Sequence, residues 1–489
     1  MEDSQDIEGW NLLTKEASKM RKGKEQQKNE AGRQLKLIVW QAGELTGTPD
    51  GGTDTAPLNR AELLSVLEKQ RTLTENLLEK IVDYGNLKKA YKHVASNDGS
   101  SGIDGMEIEE LRQWLGKHID RLREWILTEK YRVSEVRKVE IPKPNGGVRI
   151  LGIPTVKDRF IQQAIHLELN RYYEPIFSES SYGFRPGRST HQAIEQASQY
   201  IQEGKEWVVD IDLEKFFDKI NHDRLMQRLS KGIGDKRLLR LIRAFLQAGM
   251  MDDGLAEQRI AGTPQGGPLS PLLSNIVLDE LDKELENRGH SFCRFADDCN
   301  IYVKSQKAGE RVMTSITDFI EKKLKLKVNH EKSAVRHCSE VKFLGYTLLP
   351  EGGIRVADKS IDRLKDRIRE ITRRNRGVRF EQIIKELNVT ITGWSNYYRL
   401  ANAWLTNFRD IDGWIRRKLR CYRLKQCGRP YTIFKMLRSF DIPVGKSWNV
   451  VMYSQGWWKM SRALAVSHAM NPNWFARQGL LSLYLIMKV

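Results

Sequence analysis

A chain of 489 residues carrying a formal net charge of +18, with 40% hydrophobic residues and five cysteines, is too long for one ordinary core. Its longest apolar run, near Leu480 to Met487, is too short to span a bilayer. Met1 to Gln5 open no apolar leader, and Cys293, Cys299, Cys338, Cys421 and Cys427 show no zinc or disulfide spacing, so reduced thiols in a cytoplasmic protein without membrane contact are expected.

Residues 7 to 42 are charged and helix-permissive, and Thr46 to Thr53 reads as a linker, so residues 1–55 are expected to be a helical appendage. From Asn59 to His93 the positions Leu63, Leu64, Val66, Leu67, Leu77, Leu78, Ile81 and Val82 recur at helical spacing. A turn at Ser100 to Gly105 precedes a helix holding Leu111, Trp114, Leu115 and Ile119. Val139 to Pro154 alternates apolar and polar residues around Asn145-Gly146-Gly147, the pattern of a hairpin with Lys143 and Arg149 near its loop. Those two cations could hold a triphosphate or could be plain solvated charges. Lys157 to Phe177 reads as helix and Tyr182 to Arg188 as turn.

Trp207 to Asp218 predicts a strand running into an acidic, aromatic turn at Asp212. Gly262-Thr263-Pro264-Gln265-Gly266-Gly267-Pro268 is a loop whose glycines allow close backbone approach to a ligand, and it opens a helix over 272–288. Arg294-Phe295-Ala296-Asp297-Asp298-Cys299-Asn300 sets an acidic pair between apolar runs. Adjacent side chains on a strand point to opposite faces, so both carboxylates serve one site only if the chain turns there: strand, tight turn, strand. Held about 4 Å apart at an effective dielectric near 20, two such charges repel by roughly 4 kcal/mol, and a divalent cation removes that cost. Hard oxygen ligands select Mg²⁺. A helix over 308–325 and strand pieces at Leu326–Asn329 and Phe343–Tyr346 follow. The irregular alternation of strands and helices predicts an α+β fold.

From Ser360 on, the pattern is helical, with a basic break at Arg373, Arg374, Arg376 and Arg379 and an aromatic helix beginning at Gly393. Between 351 and 489 there are 27 Lys and Arg against 10 Asp and Glu, a net +17, and seven of the twelve tryptophans. Cations interleaved with aromatics suit phosphate neutralisation and base stacking, which places the expected nucleic-acid surface in this part.

The succession of blocks resembles a reverse transcriptase, and more narrowly the bacterial group II intron reverse transcriptase/maturase family in its compact form lacking an endonuclease domain. The blocks are Gly102 to Gly105, Ile141 to Pro144 with Gly147 to Arg149, Asp158 to Ala164, Ser181 to Pro186, Asp212 to His222, Thr263 to Pro271, Phe295 to Asp298 and Gly393 to Tyr398. The resemblance implies a right-hand polymerase: fingers and palm over 56–350, an α-helical thumb over 351–425 and a helical maturase-like RNA-binding region over 426–489. It implies Asp212, Asp297 and Asp298 as the catalytic, metal-binding triad, with the Leu213 carbonyl as a further ligand of two Mg²⁺ ions, for which Mn²⁺ is the substitute. Lys143, Arg149, Gln265 and Lys332 are then nucleotide-binding, and Phe217 occupies the position that excludes a 2′-hydroxyl. Phe295 stands where the family has Tyr. The implied partners are an RNA template, a DNA primer, dNTPs and group II intron RNA, with Arg373, Arg374, Arg376 and Arg379 as nucleic-acid contacts. The expected function is RNA-directed DNA synthesis with assistance to intron splicing and mobility. Two other uses are compatible with the residues: the same polymerase in host DNA repair or phage defence, and an RNA-binding maturase or chaperone with a vestigial polymerase.

Overall fold

The computed structural model describes residues 74–97, 99–142, 148–252, 255–257, 262, 266–453 and 456–488. The appendage at 1–55, the helical start at Asn59, the Asn145 turn, Lys143 and Gln265 lie outside them, and Arg149 is described by its backbone alone.

Helices α1 (Leu77–Ile81), α2 (Tyr84–Ser96) and α3 (Ile108–Leu127) form where the apolar spacing predicts them. Asp83 accepts the Gly85 and Asn86 N–H groups at the start of α2, and Glu107 and Glu110 close a reciprocal capping box on α3. Strands β1 (Val136–Pro142) and β2 (Val148–Ile153) pair antiparallel as the expected hairpin, with Ile141 opposite Arg149. Helix α4 (Val156–Tyr173) follows, capped by Thr155, and it is buried along most of its length, including the polar Asp158, Gln162 and Gln163.

Helix α5 (Thr190–Gln202) leads into β3 (Trp207–Ile211), which is followed by the short α6 (Phe216–Lys219), α7 (His222–Gly232) and α8 (Lys236–Gln247). Strands β4 (Met250–Asp252) and β5 (Leu255–Glu257) return to the first hairpin and complete a sheet in the order β2-β1-β4-β5. After α9 (Ser270–Asn287) come β6 (Ser291–Phe295), β7 (Asp298–Val303), α10 (Gln306–Asp318) and β8 (Ala334–His337). These strands build a second sheet, ordered β6-β7-β3-β8 and antiparallel throughout.

Alternation along the second sheet decides which core each residue enters. Val209, Ile211, Phe292, Cys299 and Ile301 join the core shared with α4, α9 and α10. Val208, Cys293 and Tyr302 point the other way, into the core shared with α5 and the C-terminal helices. An antiparallel sheet often leaves one face to water; this one is covered on both, so its free edge for chemistry is the end where β3 stops and β6 turns into β7.

The strand pieces expected after α10 are shorter than predicted. Leu326–Asn329 contributes a single bridge, Val328 to Leu213, and Phe343–Tyr346 is a tight turn in which Phe343 and Tyr346 exchange backbone hydrogen bonds. Leu344 and Gly345 in its middle both have positive φ, at 51° and 87°, so the turn interrupts any strand, and β9 (Tyr346–Leu348) with β10 (Ile354–Val356) follows as a separate small hairpin. Beyond it the chain is helical: α11 (Asp358–Ile371), α12 (Phe380–Tyr397), α13 (Thr406–Cys427), α14 (Pro430–Arg438), α15 (Val444–Tyr453), α16 (Gly456–Met460), α17 (Leu464–Ala469), α18 (Pro472–Arg477) and α19 (Leu483–Lys488). Gly393 does not begin a helix. It lies inside α12, and the aromatics Trp394, Tyr397 and Tyr398 close that helix, because Phe380, Ile383, Leu387 and Ile391 already supply its buried stripe from thirteen residues upstream. Helix α13 runs unbroken to Cys427, past the boundary expected at 425.

Candidate active site

The acidic pair sits at the tip of the β6–β7 hairpin. Phe295 pairs with Asp298, leaving Ala296 and Asp297 as a two-residue turn with Ala296 at φ 58°. A positive φ at the first turn residue matches the right-handed twist of the flanking strands, although an L-residue pays for it in strain that something must hold. The register Asp210 to Asn300 and Ile211 to Cys299 places Asp212, just past the end of β3, beside Asp298. Asp210, Asp212 and Asp298 share one side of the sheet, the side that faces the C-terminal helices.

What holds the turn is a fully buried guanidinium. Arg294 forms a two-point ion pair with the equally buried Asp282, at 2.6 and 2.5 Å, and also donates to Asn275 Oδ1 at 3.0 Å and Ser181 Oγ at 2.7 Å. Its remaining donor reaches the Ala296 carbonyl at 2.8 Å. Burial opposes the charge on Arg294, and the Asp282 carboxylate more than offsets it, so the guanidinium keeps its proton. From the side, Asn275 donates to the Gly183 carbonyl at 2.8 Å, and a Cβ at Gly183 would stand 2.3 Å from Ala296 N. Only glycine lets the Tyr182 to Arg188 turn press this closely on the hairpin. Arg185 in turn fixes that segment by pairing with Glu174 at 2.9 Å and donating to Ser181 O at 2.7 Å.

On the β3 side, the backbone of Asp212 is tied to the segment at 328: Asn329 N–H donates to Asp212 O at 2.8 Å, Glu214 N–H to Lys327 O at 2.8 Å, and Asp212 N–H to Ser333 Oγ at 3.0 Å. Successive peptide groups on a strand point to opposite edges. With residues 212 and 214 bonded towards 328, the Leu213 carbonyl between them is directed to the other edge, where β7 lies. Lys332 Nζ stands 3.5 Å from Asp212 Oδ2.

Electrostatically the cluster is short of positive charge. Protein packed around Asp298, followed by the charges of Asp297, Asp210 and Asp212, pushes its carboxyl up to about 6, with Lys342 pulling the other way. Burial likewise raises Asp210 to about 6, opposed by Arg336 at 3.7 Å and reinforced by Asp212. At both carboxyls burial and like charge disfavour the anion more than the nearby cations favour it. Among the described residues no group of three or more His, Cys, Asp or Glu side chains closes around a metal position. The donor chemistry still fits a hard divalent cation: carboxylate oxygens on one side of a sheet end, a backbone carbonyl directed towards β7, and like-charge repulsion that a cation would relieve.

Phe217 lies on α6, immediately beyond Asp212, half-buried and edge-to-face with Phe216 at 5.3 Å. The described ends of the segment that carries Gln265 meet two different elements. Gly262 N–H donates to Ile220 O at 2.8 Å beside α6, and a Cβ on Gly266 would stand 2.8 Å from the Gly152 carbonyl of β2. Of the basic run, Arg376 is engaged within the fold, bonded to Glu386 at 2.8 Å and to the Ile371 carbonyl at 2.8 Å, and Arg379 precedes the first turn of α12. Arg373 and Arg374 instead face a recess with Lys418, Lys425 and Trp457. Sequence reasoning missed Arg294, Asp282 and Asn275 as the support of the turn, and Lys342 as the cation facing Asp298. Their types carry no signal, since their partners are distant in the chain.

Two comparisons with known proteins bear on this site. Residues 141–348 match the family described as reverse transcriptase (RNA-dependent DNA polymerase), a span that runs from β1 through β9, and residues 361–438 match the group II intron, maturase-specific domain. The chain is 33% identical over 316 residues to protein YkfC of Escherichia coli K12, covering 56% of this chain and 83% of that one. It is 31% identical over 332 residues to the group II intron-encoded protein LtrA of Lactococcus lactis subsp. cremoris, covering 53% of this chain and 54% of LtrA. An uncharacterized 91 kDa protein in the cob intron of Schizosaccharomyces pombe is 35% identical over 210 residues, or 42% of this chain and 25% of that protein. The chain thus spans about half of LtrA and a quarter of the cob intron protein.

Proposed function

Because the chain belongs to the family of reverse transcriptases encoded by group II introns, we propose that it copies RNA into DNA at the β6–β7 tip and binds intron RNA through its C-terminal helices. The observation that carries the catalytic reading is the convergence of Asp212 and Asp298 from two paired strands onto one end of a sheet, where burial and then the neighbouring carboxylates push the Asp298 carboxyl up to about 6. Asp212, Asp297, Asp298 and the Leu213 carbonyl would hold two Mg²⁺ ions, which when bound supply charge neutralisation at the attacking and leaving oxygens of phosphoryl transfer.

Around that centre the protein's own groups position the reactants. Lys332, beside Asp212, neutralises phosphate charge from the β8 side. Lys143 and Arg149 on the first hairpin grip the triphosphate, and Gln265 contacts the incoming dNTP. Phe217 fills the space a 2′-hydroxyl would occupy, and its ring is held against Phe216 so that it cannot swing away without losing packing. The Arg294 frame keeps the Asp297–Asp298 turn where two carboxylates stay near each other despite their repulsion. Template choice is made by base pairing with the primer, while the protein reads duplex shape and backbone.

The test is primer extension with the full chain, an RNA template, a DNA primer, dNTPs and Mg²⁺ or Mn²⁺, together with splicing of a group II intron RNA. Template-dependent extension is expected. Its absence with every RNA template and both ions would overturn the catalytic reading, and RNA binding without extension would favour a maturase with a vestigial polymerase.

A further inference from the structure

A cavity of about 610 Å³ opens between the C-terminal end of α11, the second half of α13 and α16. Its charged lining is of one sign: Arg369, Arg373 and Arg374 from α11 and the link after it, and Lys418 and Lys425 from α13, with the half-buried Trp457 as an aromatic wall. Only Arg369 has an ion-pair partner among the described residues, Asp366 on its own helix. Arg374 reaches across to Cys421 Sγ at 3.9 Å, so the link after α11 is drawn onto α13 rather than splayed into water. Lys418 is held between two tryptophans, 5.4 Å from the Trp414 ring centre and 5.2 Å from that of Trp458. Burial, then the facing charges of Arg369, Arg374 and Arg417, pulls its ammonium below the ordinary lysine range, with only Cys421 opposing.

Cations gathered at one mouth repel one another, and solvation alone would be served better by spreading them out. The neighbouring cavity along α11 shows the contrast. It shares Arg369 and adds Lys365, but Asp358, Asp362 and Asp410 outnumber them, so phosphate is favoured more on one side of Arg369 than on the other. The size falls in the range of roughly 300–1,000 Å³ typical of small-ligand sites. A concave cationic pocket with a ring in its wall is poorly matched to an intact duplex, which offers phosphates on a convex ridge and keeps its bases stacked inside. It is matched to a nucleotide turned out of the helix, whose base can reach the ring while its flanking phosphates meet the cations.

We propose that this recess is a binding site for a single unpaired nucleotide of structured RNA, with the base against Trp457 and the flanking phosphates on Arg373, Arg374, Lys418 and Lys425. The inference rests on the reading of the chain as an RNA-binding polymerase and names which feature of the RNA the C-terminal helices hold. Lys359 and Arg363, near the other end of α11, act on Lys342, which faces Asp298. At about 1.5 Å per residue, the helix therefore separates Lys359 from the recess by on the order of 20 Å. The bound nucleotide is then an anchor apart from the point of chemistry.

Two RNA hairpins of equal length, one fully paired and one with a single bulged 2-aminopurine, test the site with the full chain. Wild type is expected to bind the bulged RNA about tenfold more tightly and to quench the probe. Trp457→Ala should lose the preference and the quenching, Trp457→Phe should keep the preference, and Lys418→Ala with Lys425→Ala should flatten the salt dependence, all three melting as wild type does. Equal affinity of wild type for the two RNAs with an unquenched probe would overturn the site while leaving RNA binding in place. Binding to neither RNA would overturn the functional reading itself and the site with it.

Discussion

At the β6–β7 tip, carboxylates that repel one another are kept together by a fully buried frame in which Arg294, Asp282, Asn275 and Ser181 satisfy each other at 2.5 to 3.0 Å. At the recess of the C-terminal helices, cations that also repel one another are carried on long side chains that meet no acidic residue in its lining. Both regions concentrate like charge, but only the first invests a core in holding its geometry. Phosphoryl transfer depends on ångström-level placement, whereas counterion release rewards charge density and tolerates flexible arms. Substitutions in the two regions should therefore fail in different ways.

The largest effect is expected at the turn itself. Asp297→Ala or Asp298→Ala should take primer extension below detection while RNA affinity stays near wild type, because the proposed RNA contacts are cations of the C-terminal helices and not these carboxylates. Extension at the normal rate in both variants would remove these residues from the site.

Next is the frame. Arg294→Met leaves Asp282 buried without its partner, a change that costs about 3–5 kcal/mol and should appear as a large fall in Tm. Adding Asp282→Leu removes the stranded charge and should restore much of that stability, yet extension should stay low, since the Ala296 carbonyl still lacks its donor. If the double variant regains both, the frame is only a core element and the turn holds itself.

Phe217→Ala should admit ribonucleotides, with the ratio of rNTP to dNTP incorporation rising roughly tenfold or more, the scale set by about 1–3 kcal/mol for a small steric group. An unchanged ratio in steady-state incorporation would place the gate elsewhere.

The smallest effects separate arginines that look alike in sequence. Arg373→Gln with Arg374→Gln should reduce the slope of log affinity against log salt by about 1 to 2 units. Arg376→Gln should leave the slope alone and lower stability by less than about 1 kcal/mol, since it breaks a part-exposed pair with Glu386. A slope that responds to Arg376 as much as to its neighbours would mean that all of these arginines meet phosphate.

Much of this is legible in the sequence. The Asp297–Asp298 hairpin, the β1–β2 hairpin and the helical C-terminal region follow from alternation, turn chemistry and 3.6-residue spacing, all of which are local. The support of the turn was not legible, because Asp282, Asn275 and Ser181 lie 12, 19 and 113 residues from Arg294. Phe343–Tyr346 reads as strand by composition, and what overrides it is the left-handed backbone at Leu344, which a leucine gives no reason to expect. In the basic run, charge alone could not show that Arg376 is paired with a glutamate ten residues on.

Helix α11 also fixes a phase. Its first turns carry Lys359 and Arg363, whose charges act on Lys342, and its last residues line the recess, with no proline or glycine between Asp358 and Ile371 to absorb a change. One residue inserted into it would swing the recess about 100° around the helix axis and advance it about 1.5 Å. Inserting three or four residues would nearly restore its bearing while moving it one turn further away. Variation in the length of this helix should thus be tolerated in whole turns and penalised in single residues, like the pitch of a screw that must bring two marks into line.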